Sequence, residues 1–379
     1  MMIPGDNNAR LTYCLNVHPG ETWAEAEEAI RVHALAVRDR VAKDRPFGLG
    51  LRLSNRAARE LAQPRELMAF KELLARENLF AFTVNGFPYG DFSGRRVKES
   101  VYAPDWRAGE RLDYTLLLAG ILHALLPPGE EGSISTVPGS WKPWIRGPED
   151  LAAIRKNFVD TAGKLDLLAQ HFGRAVRLAL EPEPGCLLET TPEAVEFFGT
   201  LPPETREYVG VCLDACHAAV SFEEPLESLS ALLAAGVRVA KVQLSSALRV
   251  ALPEGLPDIA PFDEPVYLHQ ARLRGADGKI ASYPDLPDFF TAYKGDPGEL
   301  RVHFHVPLFF EGRGALGTTA ESLSPDFFRA ALKGGVRHFE IETYSFGVLP
   351  PEMQAGGVVS AIAREYEWVL TRIPQKPSA

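Results

Sequence analysis

Short apolar runs alternate with longer amphipathic stretches along most of the chain, the pattern of a parallel α/β architecture. Eight runs predict strands, at residues 11–17, 47–53, 80–84, 133–137, 176–180, 209–213, 239–244 and 338–341. A ninth run, 302–306, falls between the last two and is assigned to an elaborated connection. Helix signals lie between the strands. Thr22-x-x-Glu25 reads as a capping box, followed by Trp23, Ile30, Ala34, Val37 and Val41 at helical spacing. Thr191-Pro192 and Ser324-Pro325 each place a cap residue before a proline at the first helical position. Leu151, Ile154, Phe158, Leu165 and Leu168 form a further apolar stripe.

Within the strands, bulky and small residues alternate. Phe47, Leu49, Leu51 and Leu53 oppose Gly48, Gly50 and Arg52; Phe80, Phe82 and Val84 oppose Ala81, Thr83 and Asn85; Val209, Val211 and Leu213 oppose Gly210, Cys212 and Asp214. Side chains along a strand point to opposite faces, so one face is bulky and apolar and the other small or polar. A closed barrel explains this, with the bulky face against a helix ring and the small face in a narrow interior. An open doubly wound sheet predicts two apolar faces and a Gly-rich loop after the first strand, where this chain reads Asn16-Val17-His18-Pro19-Gly20. The expectation is a single (β/α)8 TIM barrel over residues 1–379, with an insertion between the seventh and eighth strands. The Pro-, Gly- and Asp-rich stretch from Pro253, about 253–310 in all, is expected to cover the barrel mouth.

A length of 379 residues suits such a barrel, and 46% hydrophobic with 24% charged residues allows a large core. The longest apolar run, 115–126, is too short to span a bilayer, and residues 1–10 lack the apolar segment of a secretory signal. Both point to a cytoplasmic protein without membrane insertion. A net charge of −10 disfavours nucleic acid as a partner. Arg95, Arg96 and Lys98 cluster, but Asp91 and Glu99 flank them, which reads as a solvated loop. Cys14, Cys186, Cys212 and Cys216 are too few for a disulfide framework and read as reduced core thiols. Association into a homo-oligomer is left open.

Active sites of barrels lie at the C-terminal strand ends. Parity places His18, Asn85, Glu181, Asp214, Gln243 and Glu342 inward there. Three converging carboxylates repel one another unless protonated or bridged by a cation, so a divalent metal (Mn, Mg, Co or Zn) is the expected cofactor. His217 follows Asp214 by three residues and either joins the same ion or substrate or caps the next helix. Lys241 points inward one layer below Gln243, and Trp141 and Trp144 follow the fourth strand, where they can stack on a ligand or simply pack. His303 and His305 share a strand face and His269 lies near them; His33, His123 and His171 fall in helical stretches and read as structural.

The run Val209-Gly210-Val211-Cys212-Leu213-Asp214-Ala215-Cys216-His217 resembles the sixth-strand motif of the xylose isomerase-like superfamily, which includes sugar epimerases and apurinic endonucleases of the endonuclease IV type. Leu180-Glu181-Pro182-Glu183-Pro184-Gly185 resembles its fifth-strand Glu motif, and Glu340-Ile341-Glu342-Thr343 its last-strand Glu. More narrowly, Asn16-Val17-His18-Pro19-Gly20-Glu21, Thr83-Val84-Asn85-Gly86-Phe87-Pro88-Tyr89-Gly90, Val302-His303-Phe304-His305-Val306-Pro307 and Glu342-Thr343-Tyr344 resemble the EboE branch of metabolite traffic proteins. The resemblance implies Glu181, Asp214 and Glu342 as metal ligands, with Glu181 and Glu342 also exchanging protons at the carbon next to a carbonyl. Gln243 stands where the superfamily has a ligand histidine; its amide oxygen remains a weaker metal-ligand candidate, and His305, with His303 or His269 as alternatives, is the candidate to supply the missing imidazole. His18, Asn85, His217, Lys241, His269 and His303 are then candidates for substrate contact. The function implied is a metal-dependent isomerase or epimerase acting on a small polar, sugar-like metabolite. The alternative is a non-catalytic metabolite-binding protein of the EboE type; an endonuclease IV-like hydrolase ranks below both, given the acidic charge and Gln243.

Overall fold

The computed structural model describes residues 1–3, 6–43, 45–90, 92 and 96–374. Eight parallel strands form the barrel: β1 (Asp6–Tyr13), β2 (Phe47–Arg52), β3 (Leu79–Asn85), β4 (Gly132–Thr136), β5 (Val176–Leu180), β6 (Val209–Asp214), β7 (Val239–Leu244) and β8 (His338–Ile341). They pair in sequence from β2 to β8, and β8 pairs with β1. The seam between β1 and β2 is closed by a parallel bridge from Cys14 to Gly50 and by the Thr12 hydroxyl, which donates to the Gly48 carbonyl at 2.8 Å. Met2–Ile3 adds a short antiparallel strand beside β1. Among the described residues, no helix is long and apolar enough to cross a membrane; the apolar run at 115–126 belongs largely to the helix Gly109–Leu125, whose Leu118, Ala119 and Leu122 are buried.

The predicted caps form. Thr22 and Glu25 make a reciprocal capping box, and the Ser324 hydroxyl accepts from the Phe327 N–H. The cap near Thr191 lies one residue earlier, at Thr190, because Glu193 closes a second capping box there.

Strand parity holds in β2 and β6 and breaks in β3. Leu49 pairs with Ala81 but Gly50 pairs with Thr83, so Phe82 is an extra residue and the alternation changes phase. Phe82 therefore does not join Val84 on the helix side. It packs edge-on against His338, which hydrogen-bonds Ser133 and through it Thr83 inside the barrel. The first strand also lies earlier than expected: it runs from Asp6 and stops at Tyr13, and Leu15–Val17 turns as a 3-10 helix.

One layer above His338, Lys241 and Glu340 form an ion pair at 2.6 Å with both side chains fully buried. Burial works against the Lys241 charge, yet the adjacent Glu340 carboxylate raises its pKa above the ordinary lysine value. Gly50 makes room for this pair. A Cβ there would collide with the Glu340 carboxylate and the Tyr13 carbonyl.

Between β7 and β8 lies a five-stranded antiparallel sheet of Leu248–Leu252, Ala271–Gly275, Ile280–Tyr283, Gly298–Val302 and Leu316–Thr318, with its own core around Val250, Phe262, Phe289, Leu300 and Phe304. It begins before Pro253 and runs beyond residue 310. The ladder stops at Val302, so 302–306 is not a strand of its own; His303 to Val306 run on without strand pairing. Lys98 is buried and its ammonium donates to Asp285 at 2.6 Å, so it ties the loop after β3 to this sheet instead of sitting in solvent. Arg96 is exposed, while Asp91 and Arg95 lie outside the described residues.

The C-terminal helix Val358–Arg372 carries a buried Glu365, which accepts from the Thr343 hydroxyl at 2.6 Å and the Leu308 N–H at 3.1 Å. Burial pushes its pKa up to about 7, against an ordinary 4.5. A carboxyl raised on folding holds its proton longer than the unfolded chain does, so its stability contribution is lost as pH rises from about 4.5 to about 7. Glu365→Gln keeps an acceptor for both donors and removes the buried charge. It is expected to stabilise the protein by on the order of 1–3 kcal/mol at pH 8 and by little at pH 5 in paired urea melts; equal effects at both pH values would contradict the assignment.

Candidate metal centre

The C-terminal ends of β5, β6 and β8 aim Glu181, Asp214 and Glu342 at one point, with a carboxylate oxygen of each within 4.8 Å of the other two. All three are buried, at 3%, 2% and 4% exposure. Burial first, and then the neighbouring carboxylates, push the pKa of Glu181 and Glu342 well above the ordinary range. Glu342 Oε1 accepts from the side-chain amides of Asn16 at 2.7 Å and Asn85 at 2.8 Å. Asp214 caps the helix Ala215–Val220: its Oδ1 accepts from the His217 N–H and the Ser245 hydroxyl, both at 2.8 Å. Glu181 Oε2, Asp214 Oδ2 and both polar atoms of Gln243 are buried with no hydrogen-bond partner among the described residues. Such atoms are costly unless something binds them. A hard divalent cation fits this oxygen-rich set.

A second cluster adjoins the first. His217, His303 and His305 point their Nε2 atoms together, 3.1 Å from His217 to His303 and 3.2 Å from His303 to His305. The far nitrogen of each ring is held by an oxygen acceptor: His217 Nδ1 by the Pro182 carbonyl at 3.0 Å, His303 Nδ1 by Gln270 Oε1 at 2.6 Å, and His305 Nδ1 by the Glu342 carbonyl at 2.8 Å. Each Nδ1 therefore carries the proton, and three Nε2 lone pairs face one another with no hydrogen between them. Burial lowers His305 to about 4 and takes His303 well below the ordinary imidazole value, so both rings are neutral at pH 7. Nitrogens about 2.0–2.1 Å from a tetrahedral Zn²⁺ stand roughly 3.3 Å apart, close to the spacing here. Asp214 lies within ligand distance of His217 and His305, which links the two clusters.

A ring of partners fixes the imidazoles. Gln270 donates to Glu183 at 3.0 Å while accepting from His303, and Tyr102 donates to Glu183 at 2.8 Å. Above the clusters a cavity of about 60 Å³ is walled by residues that include Phe87, Phe92, Val101, Tyr267 and Tyr344.

Of the residues singled out from sequence, Glu181, Asp214, Gln243, Glu342, His217, His303, His305 and Asn85 gather at this end of the barrel. Asp214 and Gln243 are not among the residues that line the cavity, and neither are His18, Lys241 and His269. His18 stacks on His33 at 4.4 Å and meets the Tyr13 phenol at 3.1 Å, because the 3-10 turn after β1 carries it past the mouth. Asn16, two residues earlier, takes the inward position. Lys241 is sealed beneath by its pair with Glu340. His269 bridges Glu264 and the His303 carbonyl and so braces the imidazole segment from behind. Trp141 is buried and stacked on Tyr102 at 4.8 Å, a packing role. All four cysteines are free and buried. Asn16, Tyr102, Glu183, Gln270 and Tyr344 were assigned no role from sequence, although Asn16, Glu183 and Tyr344 fall within the motifs that carry the resemblance.

No family model and no curated protein matches the chain. Among solved structures it is similar to a D-allulose 3-epimerase from Methylomonas sp. in complex with D-allulose, at 15% identity over 98% of this chain and 100% of that one, with a TM-score of 0.50. It is similar to the probable 3-DHS dehydratase AsbF from Bacillus anthracis, at 15% identity over 96% and 99% with a TM-score of 0.50. A xylose isomerase domain protein from Planctomyces limnophilus matches at 15% identity over 90% and 92%, TM-score 0.50. The fold is that of the xylose isomerase-like TIM barrels. At such identities the likeness concerns the fold alone.

The raised carboxyls give a direct test. Burial and mutual repulsion raise the Glu181 and Glu342 carboxyls above their ordinary range, so the crowded group retains proton occupancy that an incoming ion displaces. Adding Zn²⁺ or Mn²⁺ to metal-free protein in weak buffer at pH 7 is expected to release about one proton or more per ion, with affinity rising with pH. The Glu181→Gln, Glu342→Gln double variant is expected to release far fewer; no release from the unmodified protein would contradict the assignment.

Proposed function

We propose that the protein is a metal-dependent isomerase or epimerase-like enzyme that moves a proton at the carbon next to a carbonyl of a small metabolite. The convergence of Glu181, Asp214 and Glu342 with unpartnered oxygens at the mouth of this barrel carries the reading. Glu181, Asp214 and Glu342 would hold one divalent ion with the Gln243 amide oxygen beside them, and His217, His303 and His305 form a second candidate position. A bound ion would polarise a carbonyl or hydroxyl oxygen of the substrate.

Glu181 and Glu342 come from β5 and β8, on different sides of the barrel. Two coupled carboxyls forced together do not ionise alike: one keeps a proton while the other is free to accept one. Such a pair serves as acid and base on the two sides of a reacting carbon. Glu342 is fixed by the Asn16 and Asn85 amides, whereas Glu181 Oε2 has no protein partner and is free to take a proton. The apolar wall keeps bulk water from competing for that proton. A D-allulose epimerase of the same fold supports a small-molecule substrate.

The metal-loaded protein is expected to exchange the α-hydrogen of α-hydroxy ketones for deuterium in D₂O, followed by NMR. Glu181→Gln and Glu342→Gln should each slow that exchange by about 10²-fold or more while melting as cooperatively as the parent. Full exchange in both variants would overturn the acid–base roles. A ligand bound but returned unchanged and unexchanged would instead favour a metabolite carrier.

A further inference from the structure

We infer that the substrate of this site is flanked by apolar groups beyond its metal-facing oxygens, and is neither a polyhydroxylated sugar nor a phosphate ester. The inference rests on the reading above for the polar end and goes beyond it for the rest of the molecule.

The cavity is polar at its floor and apolar along its walls. The floor holds the carboxylates and imidazoles; the wall side chains include Phe87, Phe92, Val97, Val101, Tyr267 and Leu268. Most donors of that wall are already engaged. The N–H of Phe87 donates to Asn85 Oδ1, that of Phe92 to Glu21, those of Val97 and Lys98 to the Val266 carbonyl, and that of Tyr267 to Glu264. The Lys98 ammonium, the wall's cation among the described residues, is paired with Asp285 at 2.6 Å. The Tyr102 phenol donates to Glu183 at 2.8 Å. Among the described wall residues, the Tyr267 phenol is the side-chain donor without a hydrogen bond.

A sugar carries a hydroxyl on nearly every carbon, and those beyond the floor would be stripped of water with few partners. Each stranded hydroxyl lowers affinity on the order of tenfold, about 1.4 kcal/mol. A phosphate would meet carboxylates at the floor and no uncommitted cation in the described wall. Methyl or methylene groups fit the same surface without loss. A compact α-hydroxy ketone with short apolar ends meets both the polar floor and the apolar walls of this cavity of about 60 Å³.

Acetoin and dihydroxyacetone form a matched pair, because each has an α-hydroxy ketone and the same number of non-hydrogen atoms. Acetoin presents methyl groups where dihydroxyacetone presents a second hydroxyl. Dissociation constants are measured by ligand-observed NMR titration of the full chain loaded with Zn²⁺, with dihydroxyacetone phosphate as a third ligand. The expected order is acetoin tightest by at least tenfold, with the phosphate ester weakest. Val101→Asn, which adds a donor to a partly exposed wall position, is expected to narrow the ratio. Equal or tighter binding of dihydroxyacetone or its phosphate, or no binding of acetoin, overturns the inference. Tight acetoin binding without α-hydrogen exchange upholds it and overturns the proton-transfer reading instead.

Discussion

Like charges crowded into a buried space set the terms for this molecule. Two ionised carboxylates about 4 Å apart repel by about 4 kcal/mol at an effective dielectric of 20. Glu181, Asp214 and Glu342 each have an oxygen within 4.8 Å of the other two, and Glu340 sits one layer below. Lys241 is the buried cation near them, and its ammonium is already committed to Glu340. The folded chain therefore keeps carboxyls protonated, as the raised Glu181 and Glu342 indicate, or gathers a cation from outside.

The inserted sheet is part of the same arrangement. It delivers His303 and His305 on the unpaired segment after Val302 and Gln270 ahead of Ala271, while β6 leads into the helix that carries His217. Arg301 donates to the Ala219 carbonyl and Lys98 to Asp285, so the insertion is tied to the barrel at two separate points. Barrel carboxylates and insertion imidazoles thus meet across one boundary, which couples the hard-oxygen cluster to a nitrogen cluster suited to Zn²⁺.

Much of this was legible from spacing alone. The eight strands follow from apolar runs, and the alternation in β2 and β6 correctly turned Gly50, Cys212 and Asp214 inward. Alternation fails where the backbone departs from a regular strand, and such departures leave little trace in side-chain identity. The bulge at Phe82 reverses the parity of the lower part of β3. The turn at Leu15–Val17 exchanges His18 for Asn16. His269 read as a candidate substrate contact because imidazole is chemically versatile, but its position is decided by Glu264, five residues earlier, and by the His303 carbonyl. The supporting groups Tyr102, Glu183 and Gln270 belong to three separate segments, and a network assembled across them has no linear signature.

The central claim is that Glu181, Asp214 and Glu342 share an ion. Anomalous X-ray diffraction at the zinc edge, on crystals of the Zn²⁺-loaded protein, locates bound metal without reference to any reaction. The account predicts a strong anomalous peak bonded to all three carboxylates. No peak there, with the three side chains contacting only protein groups, would contradict it.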